Sequence, residues 1–294
     1  MTIKRTVSDR IADAIIYFVL FIIAALCLYP MLYVLFASLS EPAKFVKTSG
    51  LIFAPQGFSL AAYNAVIRNP SISIGYRNTL FYLIAGTAIN LFLTTLGAYV
   101  ISRTNFMFRR PMSLIIVFTM FFGGGLIPTY IMVSNTFGLA DSRLALLLPG
   151  AINAWNLILM KSFFESLPDS LEESAKIDGA NDIVILFRIV IPISTAVIAV
   201  MFLYYGVGHW NSWFDAMVYL RTREKFPLQL FLREILVSRD TLTMGGTTNI
   251  GDQEEVGLTI RYATVMVATI PILCIYPFIQ KYFVKGVMIG AIKG

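Results

Sequence analysis

Six long apolar runs separated by polar stretches set the pattern of this chain: residues 12–38, 79–102, 112–133, 143–162, 188–207 and 262–281. A helix needs about 20 mostly apolar residues to cross a bilayer, and each run is close to that length. None has Asp, Glu, Lys or Arg in its central part, and in the fourth only the polar Asn153 and Asn156 interrupt Leu144 to Met160. The pattern predicts an all-α integral membrane protein with six transmembrane helices in a single domain, 1–294. Gly123 to Gly125 with Pro128 either kink the third run or end its helix, and Pro149 and Gly150 pose the same choice in the fourth.

The polar segments are uneven. Residues 39–78 contain a helix-like stretch from Leu60 to Ile67, and 134–142 is brief. Residues 208–261 form a long loop with a helix-like Pro227 to Val237 and a flexible Gly-, Thr- and Asn-rich part from Thr241 to Gly251. Between the fourth and fifth runs lies 163–187, a charged island in an apolar chain. Asp169 there is placed as an N-cap, and Glu172 three residues on as its capping-box partner. Gly179 supplies the stop, because glycine takes the left-handed cap conformation without strain. A helix of about ten residues is too short to persist alone in water, so this one must pack on something.

Composition sharpens the class. The 294 residues are 57% hydrophobic and 14% charged, with mean hydropathy +0.74. Soluble domains carry about a quarter charged residues. The net charge of +6 would suggest nucleic acid in a soluble protein, but here the basic residues flank apolar spans and report orientation instead. Lys4, Arg5 and Arg10 precede the first run, and Arg103, Arg109 and Arg110 fill the turn after the second. Lys161, Lys176 and Arg188 border the charged island, and Lys281, Lys285 and Lys293 lie in the tail. These short regions alternate onto one side, which places both termini and the island in the cytoplasm. The first run exceeds the 7–15-residue core of a signal peptide, so it reads as a retained span. Cys27 and Cys274 both sit in apolar runs and make no disulfide framework.

The island carries a more specific pattern. Glu173, Ser174 and Ala175, then Gly179, then Ile189, Ile191 and Pro192 resemble the EAA signature of ABC importer permeases, in which E-A-A-x-x-x-G is followed by I-x-L-P. Ser174 replaces the first Ala and Ile191 the Leu. Weaker likenesses run from Gly75 to Leu80, Ala98 to Arg103, Gly125 to Tyr130, His209 to Phe214 and Lys281 to Gly294. Together they are similar to the carbohydrate-uptake branch, to its maltose-type second permease, and most to a subgroup handling larger oligosaccharides such as alginate or pectin fragments.

The resemblance implies a type I ABC importer permease fold in the bacterial cytoplasmic (inner) membrane. It implies a heterodimer with a second homologous permease, two ATPase subunits and an extracytoplasmic sugar-binding protein. The loop 163–187 becomes the coupling helix that docks on the ATPase, through Glu172, Glu173, Ser174, Ala175, Asp178, Gly179, Ala180 and, further on, Pro192. Glu173 would supply a charged contact, Ala175 close packing and Gly179 the turn. Within the outer loop, Thr241, Gly245, Gly246 and Asn249 are candidates to touch the binding protein. ATP and Mg would sit on the ATPase, with no cofactor on this chain and no nucleic-acid partner. In the maltose system the partner permease binds the sugar, so no substrate ligand is assigned.

The remaining chemistry is sparse. No Walker A pattern, metal-spaced Cys/His cluster or nucleophile–base pair is evident. The lone His209, beside Trp210, reads as an interfacial polar residue rather than a ligand or base. Asn90, Thr94, Asn153 and Asn156 read as helix-packing hydrogen bonders. An importer of peptides, a self-contained secondary transporter and a membrane enzyme are the alternatives. The second lacks the intramembrane carboxylate that coupling to an ion gradient calls for, and the third lacks a catalytic cluster.

Overall fold

The computed structural model describes residues 7–48, 50–237, 257–275 and 277, and among them it is helical apart from turns and one isolated antiparallel bridge between Ser40 and Phe58. The helices are α1 (Val7–Ser38), α2 (Pro42–Lys47), α3 (Ala61–Arg68), α4 (Pro70–Ser102) and α5 (Arg109–Phe121). Then come α6 (Leu126–Ile131), α7 (Leu144–Leu147), α8 (Ala154–Glu165), α9 (Asp169–Ile177) and α10 (Asp182–Ile185). The last are α11 (Ile191–Ile193), α12 (Thr195–Trp210), α13 (Phe214–Tyr219), α14 (Leu228–Val237) and α15 (Gly257–Ile275). A π-helical turn, Met132–Thr136, extends α6, and another, Leu186–Val190, joins α10 to α11.

Three helices are long and apolar enough to cross a membrane unaided: α1 from Ser8, α4 and α15. Two bent pairs bring the number to five. One is α5 with α6 and its π turn, folded through 113° where Gly123 to Gly125 interrupt the helix. Gly125 has φ +83°, a left-handed conformation that suits glycine. The third run is therefore broken rather than merely ended. The other pair, 182–193 and α12, bends by 85° just after Pro192. The proline lacks an N–H and leaves an earlier carbonyl without its helical donor.

Two runs depart from a single uninterrupted helix with the bounds of the apolar stretch. The fourth, 143–162, is not one helix: α7 stops at Leu147 and α8 starts at Ala154. Pro149 and Gly150 are the two poorest helix formers, and they lie together in that gap. Asn153 then restarts the helix, its Oδ1 accepting from the Asn156 N–H at 3.1 Å. The second helix begins at Pro70 rather than residue 79. Hydropathy hides this part, because its inward residues are polar or small: Gly75, Asn78 and Thr79 are buried.

The described residues form two compact units, one within 1–69 and 234–270, the other within 70–233 and 271–294. In the first, Ala37, Phe45 and Ile52 make a small core covered by Tyr33, Phe36 and Tyr262. Tyr262 meets Phe45 and Tyr33 edge-on, with ring centroids 5.6 and 6.0 Å apart. The Ile52 N–H donates to the Tyr29 hydroxyl at 3.0 Å, and Ser38 Oγ lies 2.8 Å from the Tyr63 hydroxyl. Along α1 the side chains of Tyr17, Phe18, Phe21 and Leu26 are exposed, an apolar surface for lipid or a partner to cover.

In the second unit α4 is the central element, packed on α8 and α12 around Ala98, Tyr99, Leu157, Met160, Val197 and Met201. The broken fourth run frees carbonyls inside this bundle, and Asn90 of α4 donates to two of them, Gly150 O at 2.8 Å and Ala151 O at 2.9 Å. The Asn90 Oδ1 in turn accepts from His209 Nε2 at 2.6 Å. Thr94 and Tyr205 share a 2.7 Å hydroxyl bond, and the Tyr205 hydroxyl accepts from the Asn153 N–H at 3.2 Å. His209 is thus a packing partner of α4, set against Gly86.

Near the start of α4 a second polar cluster fixes the chain around residues 219–228. Asn78 donates to Glu224 O and Phe226 O at 2.7 and 3.0 Å, Tyr82 to Lys225 O at 2.8 Å, and the Leu228 N–H to Thr79 Oγ1 at 2.8 Å. Asp141 holds the same loop. Its carboxylate accepts from the Thr222 hydroxyl and N–H, the Arg221 N–H and Lys225 Nζ, and these donors hold its pKa well below the usual carboxylate range.

Two predictions follow from these clusters. A Cβ on Gly86 would lie 2.3 Å from His209 Nε2, whereas one on Gly150 meets nothing within 4 Å. Gly86→Ala should therefore lower stability in detergent by about 1–3 kcal/mol, the usual scale of overpacking. Gly150→Ala should be nearly neutral; equal melting shifts would contradict this packing. Because the folded pKa of Asp141 is depressed, its stabilising contribution is complete above about pH 4 and fades as pH falls further. Hydrogen exchange at 219–226, corrected for intrinsic rates, should rise between about pH 6 and about pH 3. Asp141→Asn should remove that pH dependence; an unchanged profile would show that another group sets it.

Candidate functional site

The charged island folds as α9, nine residues that begin after Pro168. Pro168 occupies the N-cap position with φ −63° and ψ 127° and offers no side-chain cap. Asp169 is the first helical residue, so the expected Asp169–Glu172 capping box does not form. Both acids still lie in the first turn, where the helix dipole favours them. The other end matches expectation. Gly179 has φ +80°, its N–H donates to Lys176 O at 3.0 Å, and the Ala180 N–H donates to Ala175 O at 2.9 Å. That pair of bonds is a Schellman motif. The chain then turns directly into α10, where Asn181 Oδ1 accepts from the Val184 N–H at 2.9 Å.

A buried residue and an inward ion pair seat this short helix on the bundle. Ala175 is buried in the same cluster as Tyr99, Phe164, Ile185, Leu186 and Val190, with Leu167 and Ala180 packed at its edge. Glu172 turns inward and pairs with Arg103, just past the end of α4, with only 13% and 17% of the two side chains exposed. The Arg103 guanidinium also donates to Phe164 O at 3.2 Å and to Ser102 Oγ at 3.0 Å, and lies 4.8 Å from the Tyr99 ring centroid. Burial pushes the Arg103 pKa below its ordinary value. Beside this pair, Glu165 is bound by Arg109 and by Lys161 at 2.9 Å. Burial raises the pKa of the Glu165 carboxyl, but hydrogen bonds from the two cations outweigh it and leave the group below its usual range.

Between these groups lies a polar cleft of about 200 Å³, lined by Arg103, Asn105, Arg109, Asp169, Glu173 and Lys176 among others. A more apolar groove of about 360 Å³ adjoins it, with Tyr99, Val100, Phe106, Ile183 and Leu186 in its wall. Beyond these hollows two large apolar side chains stay uncovered: Ile177 is 86% exposed, and Ile183, at the edge of the groove, is 69% exposed. An apolar side chain so uncovered, ringed by Glu173, Asp178 and Lys176, is the composition of a docking surface.

The residues singled out from sequence separate into two groups. Glu173, Ser174, Asp178 and Gly179 lie on the open surface. Glu172 and Ala175 face the bundle, and Ala180 is half-buried against it. Pro192 stands apart from α9 in sequence, at the 85° bend before α12. Thr241, Gly245, Gly246 and Asn249 lie outside the described residues, as do Lys281, Lys285 and Lys293. Arg103, Arg109, Lys161 and Glu165 join the site only through the fold. Their basic members were visible only as markers of membrane orientation. Among the described residues no group of three or more His, Cys, Asp or Glu could hold a metal ion.

No family model matches the sequence. The chain is 42% identical to the polygalacturonan/rhamnogalacturonan transport system permease protein YtcP of Bacillus subtilis (strain 168), over 98% of this chain and all of that protein. It is 40% identical to protein LplC of the same organism, over all of this chain and 98% of that one. Among solved structures, a chain of a bacterial ABC transporter involved in the import of the acidic polysaccharide alginate superposes with a TM-score of 0.85 at 34% identity. That match covers 96% of this chain and 100% of the other.

The C-terminal cap of α9 yields a direct test. An L-residue at a left-handed position costs about 1–2 kcal/mol, and nothing crowds Gly179. Gly179→Ala should therefore speed amide exchange in α9 by roughly five- to thirtyfold while leaving α4 and α12 unchanged. Equal protection in both proteins would mean that the turn does not depend on glycine.

Proposed function

The chain belongs to the ABC transporter permease family, and on that premise we propose that it is the membrane subunit of an ATP-driven, binding-protein-dependent importer of oligosaccharides. It is a transport subunit and not an enzyme. The observation that carries the mechanism is α9: a short helix fixed rigidly from within by Ala175 and Glu172, with Glu173 and Ile177 left on its open surface. In this reading that surface docks on a cytoplasmic ATPase, which holds the ATP and Mg. Closure of two ATPase subunits draws the helix and its counterpart in a second, homologous permease together, and the path opens outward.

On the same reading the whole of 1–294 acts as one permease domain of six crossings in the bacterial cytoplasmic membrane, with both termini inside. The fourth crossing is the one formed by α7, the break and α8. Such breaks are tolerated at membrane depth where protein groups take up the freed carbonyls, as Asn90 does. The loop from Thr241 to Gly251 is the proposed contact with the extracytoplasmic binding protein. Polygalacturonan and alginate, named for two similar proteins, are both carboxylated polymers. The proposed cargo is accordingly a fragment of an acidic polysaccharide.

Purification of the tagged chain from its native cell in mild detergent tests the assembly. An ATPase and a second multi-span permease should co-purify, and reconstituted vesicles containing the binding protein should accumulate labelled oligogalacturonate only with ATP. Recovery of the chain alone, moving solute in liposomes without ATP, would overturn the reading.

A further inference from the structure

We infer that Arg103 is a positioning residue, and that its ion pair with Glu172 is the strut through which displacement of α9 is delivered to α4. The inference rests on the importer reading above. Three structural facts carry it. First, one guanidinium touches three elements at once: Glu172 on α9, the carbonyl of Phe164 in the last turn of α8, and Ser102 with Tyr99 at the end of α4. Second, the pair is nearly enclosed. Water does not compete strongly with it there, and breaking one partner leaves an uncompensated charge. Third, the apolar contact of α9 with the same cluster is made by the small side chain of Ala175, whose packing is non-directional, whereas the ion pair fixes a direction. The directional link between α9 and α4 is therefore the one made by Arg103.

The division of labour along α9 follows from this. Glu173, exposed at the edge of the polar cleft, and the uncovered Ile177 are the α9 side chains available for docking. Glu172 is adjacent to Glu173 in sequence but points the other way, into the bundle. A push on the outer face reaches Glu172 through the rigid helix and then Arg103 through the ion pair. At the far end of that line α4 holds the broken fourth segment through Asn90 and α12 through His209, so a shift of α4 moves the elements around the break. Lysine cannot replace Arg103, because a single ammonium does not reproduce a planar fork bonded to a carboxylate, a carbonyl and a hydroxyl together.

The test uses the complete reconstituted importer with its binding protein, and reads solute accumulated per ATP hydrolysed. Glu172→Gln and Arg103→Lys should still co-purify with the ATPase and hydrolyse ATP, while solute per ATP falls about tenfold or more, the usual scale of a site-to-site coupling energy. Glu172→Asp, which keeps the charge, should retain most of the coupling. As a second arm, Arg103→Cys with Glu172→Cys, in a chain whose Cys27 and Cys274 are serine, should regain coupling when bridged by a short bis-methanethiosulfonate, which joins the two thiols through disulfides and releases sulfinate, and lose it on reduction. A wild-type ratio in both single variants would overturn the inference, as would transport and hydrolysis falling in step with no rescue by the bridge. If the single variants fail to assemble, the bridged pair decides. An importer preparation that contains no ATPase would overturn the importer reading itself, and this inference with it.

Discussion

A chain that interrupts its helices inside a membrane frees carbonyls that no water can satisfy, and the bundle depends on the side chains that take them up. Asn90 is the central one. Its amide serves Gly150 and Ala151, and its oxygen is held by His209, so three segments far apart in sequence share one hydrogen-bonded node. Gly86 leaves the space for the imidazole. The node holds the broken segment in the bundle without the energetic cost of orphaned backbone groups.

Where α4 ends, the same helix makes a second kind of joint. Its last turn brings Arg103 against Glu172, and Ala175 closes the apolar contact beside it. The result is a helix only nine residues long that is held from inside and offers its outer face to a partner. The geometry suits the proposed coupling role in physical terms. A coupling element must be stiff toward the subunit it moves and accessible toward the subunit that moves it.

Much of this was legible in the amino-acid pattern, and the reasons differ by feature. Long apolar runs mark where the apolar helices lie, because hydropathy is summed over many residues. Gly179 was legible because a left-handed cap leaves few other choices, and the Schellman bonds follow from it. The early start of α4 at Pro70 was not, since its buried face carries Gly75, Asn78 and Thr79 rather than apolar side chains. Pro149 and Gly150 left two readings of the fourth run, and the choice between them turned on Asn90, some sixty residues away. Glu172 and Glu173 are equivalent in composition, and only packing shows that one pairs with Arg103 while the other stays exposed. Asp169 failed as a cap because Pro168 already occupied the position.

The central claim is that the open face of α9 meets an ATPase, and site-directed cross-linking measures it most directly. A single cysteine at Ile177, in a chain whose Cys27 and Cys274 are replaced by serine, would carry a short photoactivatable cross-linker in native membranes. The account predicts capture of a nucleotide-binding subunit, with a yield that changes when ATP is added. Capture of lipid or of no protein, with an equal label at Glu172 behaving the same way, would contradict it.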